Sequence, residues 1–147
     1  MNEAFVDANV IIRLLTGDDP QKQQASLRLF QDVRDGRLIL RTPVTTIADT
    51  VYVLTSPRHY QKSRAQAAAL LTPLLRLPGF RVQNRRVVLR ALDLFGTTPG
   101  LDFGDARIAA TMEQRHIPDL YSYDDDFDDF DSFAWVTRQE QTSPTLG

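Results

Sequence analysis

Short apolar blocks recur along the chain, and their spacing switches between the period of a strand and that of a helix. Glu3-Ala4-Phe5-Val6 reads as a strand opening directly into Asp7-Ala8-Asn9. Val10 to Leu15 is too apolar for a loop and reads as a helix, ended by Gly17-Asp18-Asp19-Pro20. From Gln21 to Asp35, Ala25, Leu29, Phe30 and Val33 fall at helical spacing, and Gly36 closes that helix. Leu38-Ile39-Leu40 is a second strand. Pro43 to Leu54 is a helix with Ile47, Val51 and Leu54 on one stripe, broken by Ser56-Pro57. Ser63 to Leu77 is an alanine- and leucine-rich helix closed by Pro78-Gly79, and Pro73 should bend or shorten it. Phe80-Arg81-Val82 is a third strand, and Val87 to Phe95 a helix with Val88, Leu92 and Phe95 inward. After a turn-rich Gly96 to Gly100 comes a helix from Asp102 to Arg115, then a strand from Leu120 to Tyr123 that runs into an acidic stretch. Phe133-Ala134-Trp135-Val136 is a last short strand, and the polar residues after Arg138 should fray.

Strands interleaved with helices throughout argue an α/β layered domain, with a mostly parallel sheet, buried strands and helices on both faces. At 147 residues there is room for one core, so residues 1–138 read as a single domain and 139–147 as its tail. Without cysteine, disulfides, thiolate metal sites and a cysteine nucleophile are excluded. Met1 to Asp7 has no basic segment of the kind a signal peptide carries, and the apolar runs fall well short of the ~20 residues of a membrane span. A soluble cytoplasmic protein is expected.

The net charge of -2 argues against a polyanion partner until its distribution is considered. Six aspartates fall between Asp124 and Asp131, and the rest of the chain carries +4, nearly all of its bases being arginine. A mildly basic body around an acidic focus suits a protein that holds cations beside phosphates.

In parallel sheets ligands gather beyond the carboxyl ends of the strands. Asp7 follows the first strand and Asp124 the strand ending at Tyr123, so both carboxylates can face one crevice. Asp105 lies in the first turn of its helix, where backbone amides favour anions, with Asp102 the natural cap. Asp49 lies on the Pro43 to Leu54 helix. Singly, each acid reads as a cap or a solvated side chain. Jointly they would repel, a conflict that a divalent cation resolves. Mg²⁺ or Mn²⁺ prefers oxygen ligands and bridges to phosphate, and such ions serve in-line displacement at phosphorus without histidine. His59 and His116 stand apart and read as surface or loop residues.

The blocks Phe5-Val6-Asp7-Ala8-Asn9-Val10-Ile11-Ile12, Thr46-Ile47-Ala48-Asp49-Thr50-Val51-Tyr52-Val53-Leu54, Leu101-Asp102-Phe103-Gly104-Asp105-Ala106-Arg107-Ile108-Ala109-Ala110 and Tyr121-Ser122-Tyr123-Asp124 resemble the successive motifs of a PIN domain. The chain is similar in particular to the VapC toxins of bacterial toxin–antitoxin pairs. The resemblance implies a three-layer α/β/α fold and a Mg²⁺- or Mn²⁺-dependent endoribonuclease. Asp7, Asp49, Asp105 and Asp124 match the family's four metal-binding and catalytic acids. Asn9 matches the small polar residue that orients the first acid, and Ser122 the hydroxyl preceding the fourth. The second acid is usually glutamate, so Asp49 is one methylene short. Asp126 reads as part of a solvated loop. Arg13, Arg85, Arg86 and Arg107 are candidate phosphate contacts for RNA. The resemblance further implies a homodimer, neutralised by a cognate antitoxin whose tail occupies the active-site groove.

Two other α/β families fail on chemistry. A receiver domain needs a lysine at a late strand end, and Lys22 and Lys62 are both early. A haloacid-dehalogenase-like phosphatase needs a second aspartate two residues after the first, where Asn9 stands. The alternative that remains is a catalytically inactive PIN-like scaffold that binds RNA or protein, which Asp49 keeps open.

Overall fold

The computed structural model describes residues 2–122 and the strand 137–139. Strand β1 (Asn2–Phe5) leads into helices α1 (Ala8–Leu15) and α2 (Pro20–Arg34), and β2 (Leu38–Arg41) into α3 (Val44–Thr55) and α4 (Arg64–Leu75). Then follow β3 (Phe80–Arg81), α5 (Arg85–Thr97), α6 (Phe103–Arg115), β4 (Asp119–Tyr121) and β5 (Thr137–Gln139). β1, β2 and β3 form a parallel sheet in that order, with Ala4 opposite Leu40 and Leu40 opposite Phe80. β4 and β5 pair in parallel as a second sheet. The architecture is helix-rich around a parallel sheet, the α/β class that the sequence predicts.

Helix boundaries follow local chemistry. Pro20 occupies the first turn of α2, where its missing N–H is harmless, and Asp19 caps that helix by accepting from the Lys22 N–H at 3.1 Å. Ser63 and Gln66 form a reciprocal capping box at the start of α4. Pro73 is accommodated inside α4, which ends two residues later at Leu75 rather than at Leu77. α5 starts two residues earlier than the apolar spacing predicts, after Asn84 in the left-handed region with φ 56°.

Three expectations need correction or lie out of reach. The strands are not uniformly buried: β1 is exposed along its length, because as an edge strand it is paired to β2 alone among the described residues. β1 and β4 belong to separate sheets among the described residues, so the first and fourth strand ends do not share an edge there. Phe133–Val136 lies outside the described residues, and the strand that pairs with β4 is Thr137–Gln139.

The core is continuous from sheet to helices. Ile11, Leu40, Ile47, Leu54, Leu71, Leu92 and Leu101 are fully buried, each contributing about 1.5–3 kcal/mol of transfer free energy. Phe30 of α2 meets Phe80 of β3 edge to face, ring centroids 5.4 Å apart. Gly79, just before β3, lets this corner close: a Cβ there would stand 3.1 Å from the Val33 carbonyl oxygen and 3.2 Å from that of Leu38. No helix among the described residues is long and apolar enough to cross a membrane.

A polar clip joins distant parts of the chain. The Tyr60 hydroxyl donates to Asp18 Oδ2 at 2.7 Å, and Arg13 Nη1 donates to the same oxygen at 3.0 Å. The Thr16 hydroxyl lies 3.0 Å from Asp18 Oδ1. Chiefly through the Tyr60 hydrogen bond, the Asp18 carboxyl is held below the usual aspartate value of 3.8. A carboxylate favoured in the fold stabilises it above its unfolded pKa, and the contribution disappears as pH falls through the lower folded value. Tyr60→Phe should therefore lower the melting temperature at pH 7, and the gap to wild type should narrow as pH falls below 4. A gap of equal size at pH 7 and pH 2.5 in thermal scans would assign the loss to packing instead.

Candidate active site

Each candidate acid that the structure describes sits at a position set by backbone geometry. β1 pairing extends one residue beyond the strand, since Val6 N–H donates to the Arg41 carbonyl at 3.0 Å. The buried Thr42 hydroxyl returns to the Val6 carbonyl at 2.9 Å. These two bonds fix the chain at the residue before Asp7. Asp7 then adopts extended φ/ψ as the N-cap of α1, its Oδ1 accepting from the Val10 N–H at 3.2 Å. The carboxylate is exposed, and Oδ2 has no hydrogen bond among the described residues.

Asp105 lies in the first turn of α6. Its backbone N–H donates to Asp102 Oδ1 at 2.7 Å, so Asp102 is the cap that the sequence predicts and Asp105 is half-buried beside the positive end of the helix dipole. Asp49 is exposed near the middle of α3. Helix α3 packs against both α1 and α6, so the three acids ride on elements that touch. Among the described residues, however, no three of His, Asp and Glu lie close enough together to hold one metal ion. Asp124 and Asp126 lie outside the described residues.

The supporting residues divide in the same way. Asn9 is exposed in the first turn of α1, and the hydrogen bond that orients Asp7 comes from Val10 rather than from Asn9. Ser122 immediately follows β4. Of the candidate phosphate contacts, Arg13 is paired with Asp18, whose hydrogen bond raises the guanidinium pKa. Arg85 Nη2 donates to the Phe80 carbonyl at 2.6 Å and so braces the turn before α5. Arg86 is exposed and Arg107 half-buried, and neither has a side-chain hydrogen bond or ion pair among the described residues. Arg13 and Arg85, by contrast, hold internal partners. His59 and His116 are exposed, as expected.

Sequence reasoning passed over a cleft of about 410 Å³ lined by α3, Arg64, Phe95, Asp102 and the start of α6. Tyr52 forms one wall and is 71% exposed. Its position off the stripe of Ile47, Val51 and Leu54 was the available signal. Arg64 gave none, because its partner Phe95 is remote in sequence.

The donor chemistry suits a hard divalent cation. Every candidate ligand is a carboxylate oxygen, and Mg²⁺ is usually held by only one or two protein carboxylates together with waters and substrate phosphates. A site completed by a polyanion does not need three carboxylates closed around the ion beforehand.

Carboxylates at a strand end and at a helix start on a parallel α/β domain do not by themselves assign one activity. The PIN domain family matches residues 4–132, and the chain belongs to that family, a family of nucleases. Among solved structures it is similar to Mycobacterium tuberculosis VapC20, described as a Sarcin-Ricin loop cleaving toxin. The identity is 19%, over 85% of this chain and 92% of that one, with a TM-score of 0.38. No curated protein matches the chain.

Proposed function

We propose that this protein is a Mg²⁺- or Mn²⁺-dependent endoribonuclease, with Asp7, Asp49, Asp105 and Asp124 as metal-binding and catalytic residues. The observation that carries the reading is the family match across residues 4–132, with Asp7 capping α1, Asp49 on α3 and Asp105 on α6, and α3 packed against both other helices. A bound cation supplies activation of water and neutralisation of charge at phosphorus. Asp7, held by its cap bond, and Asp105, beside the α6 amides, are oriented by backbone rather than by flexible loops. Arg86 and Arg107 provide phosphate contacts from the sides. The biological role proposed with this chemistry is that of a cytoplasmic toxin, acting as a homodimer and held in check by a cognate antitoxin protein.

A second reading, a non-catalytic scaffold, is favoured by the shorter Asp49 at the position of the second acid. One experiment separates the two. Purified protein should cut a structured RNA with Mn²⁺ or Mg²⁺, stop with EDTA, and lose cutting in Asp105→Asn by at least about 100-fold. RNA binding that ignores EDTA, with no product in either protein, would establish the scaffold.

A further inference from the structure

The cleft between α3 and the start of α6 contains a cation whose bonding is incomplete. Arg64 opens α4 and donates from Nε to the Phe95 carbonyl at 2.9 Å, in the last turns of α5. Its guanidinium carbon lies 4.0 Å from the centroid of the Phe95 ring. Nη2 is buried without a hydrogen-bond partner, and Nη1 has no hydrogen bond among the described residues, so it is the donor left for a ligand. Burial lowers the Arg64 pKa and Asp102 acts against that shift, and both residues line the cleft. Asp102 commits Oδ1 to the Asp105 N–H and has no hydrogen bond to Oδ2 among the described residues. Tyr52, one helical turn beyond Asp49, presents its ring at the rim.

An exposed aromatic ring, a guanidinium donor and a carboxylate acceptor lining one cleft are the chemistry that recognises an unstacked base. Single-stranded RNA bases stack on exposed aromatic rings, and their edges are read by hydrogen bonds. Guanine matches the polar pair best, offering O6 and N7 to arginine and N–H groups to a carboxylate. The volume of about 410 Å³ lies within the roughly 300–1,000 Å³ of small-ligand sites. The cleft touches Ala48 and Gly104, the neighbours of Asp49 and Asp105, so a base seated there belongs to a nucleotide near the acids.

We propose that this cleft is a nucleobase subsite, in which Tyr52 stacks on a base next to the scissile phosphodiester and Arg64 with Asp102 selects guanine. The inference rests on the ribonuclease reading for its biological use, but the subsite binds a nucleotide whether or not cleavage occurs. Two measurements test it separately. First, guanosine 5′-monophosphate and uridine 5′-monophosphate are titrated into the metal-free protein by NMR. Guanosine monophosphate should bind at least about fivefold more tightly, and Tyr52→Ala, at an exposed position that spares the fold, should abolish the difference. Equal binding of the two nucleotides, or a preference that survives Tyr52→Ala, overturns the proposal.

Second, cut sites are mapped on an RNA of randomised sequence with Mn²⁺. Guanine should be enriched at one fixed position relative to the cut, and Tyr52→Ala and Arg64→Lys should each reduce that enrichment by about tenfold. If the wild type binds guanosine monophosphate selectively but cuts nothing, the subsite stands and the nuclease reading fails. If RNA is cut with the same base distribution in all three proteins, the nuclease stands and the subsite fails. A change in sedimentation behaviour of Tyr52→Ala without any change in base preference would mean that a second copy covers the cleft, and would also overturn the proposal.

Discussion

Asp7→Asn should leave the fold as stable as wild type while reducing metal-dependent RNA cleavage by at least about 100-fold. The two effects separate because Asp7 has two jobs. Its Oδ1 caps α1 through the Val10 N–H, and asparagine performs that task as well as aspartate. Its negative charge is needed only by the cation. Asp7→Ala removes both functions and should in addition lower stability by about 1 kcal/mol, or roughly 2–4 °C in melting temperature. Without metal, Asp7→Asn and Asp105→Asn should melt no lower than wild type, since fewer like charges then share one region. Circular dichroism melts with EDTA and with Mn²⁺, run beside the cleavage assay, resolve all three terms. If Asp7→Asn cuts RNA at the wild-type rate, Asp7 is a helix cap and nothing more.

Local signals accounted for much of the architecture. Asp102 was identifiable as a cap because an aspartate three residues ahead of a second acid opens an apolar-periodic run, and its bond to the Asp105 N–H is present. Pro20, Gly36 and Ser63 marked helix ends for similar local reasons, and each boundary came within two residues. Less legible was everything decided by long-range pairing. Nothing in Glu3-Ala4-Phe5-Val6 says that the strand is exposed and paired to β2 alone among the described residues, because burial depends on the neighbour that arrives later in the chain. The arginines show the same limit. Arg13 and Arg86 look alike in sequence, yet one meets Asp18 across the α1–α2 turn and the other meets solvent. Of the four acids, three could be placed on α1, α3 and α6, while Asp124 lies outside the described residues.

Phenylalanine provides the sharpest test of that distinction, because Phe5 and Phe80 are both strand residues in one parallel sheet. Phe5 is 76% exposed, whereas Phe80 is fully buried, opposite Leu40 and edge-on to Phe30. Phe80→Ala should cost about 3–5 kcal/mol, the transfer energy of the ring plus the cavity left against Phe30 and Leu40. In a domain of this size that corresponds to a fall of roughly 10 °C in melting temperature. The site cannot readily collapse, because Gly79 already brings the chain against the Val33 and Leu38 carbonyls. Phe5→Ala should change stability by no more than about 0.5 kcal/mol. Urea unfolding of both variants measures the contrast directly. Comparable losses would mean that β1 has a covered face in solution beyond its pairing with β2.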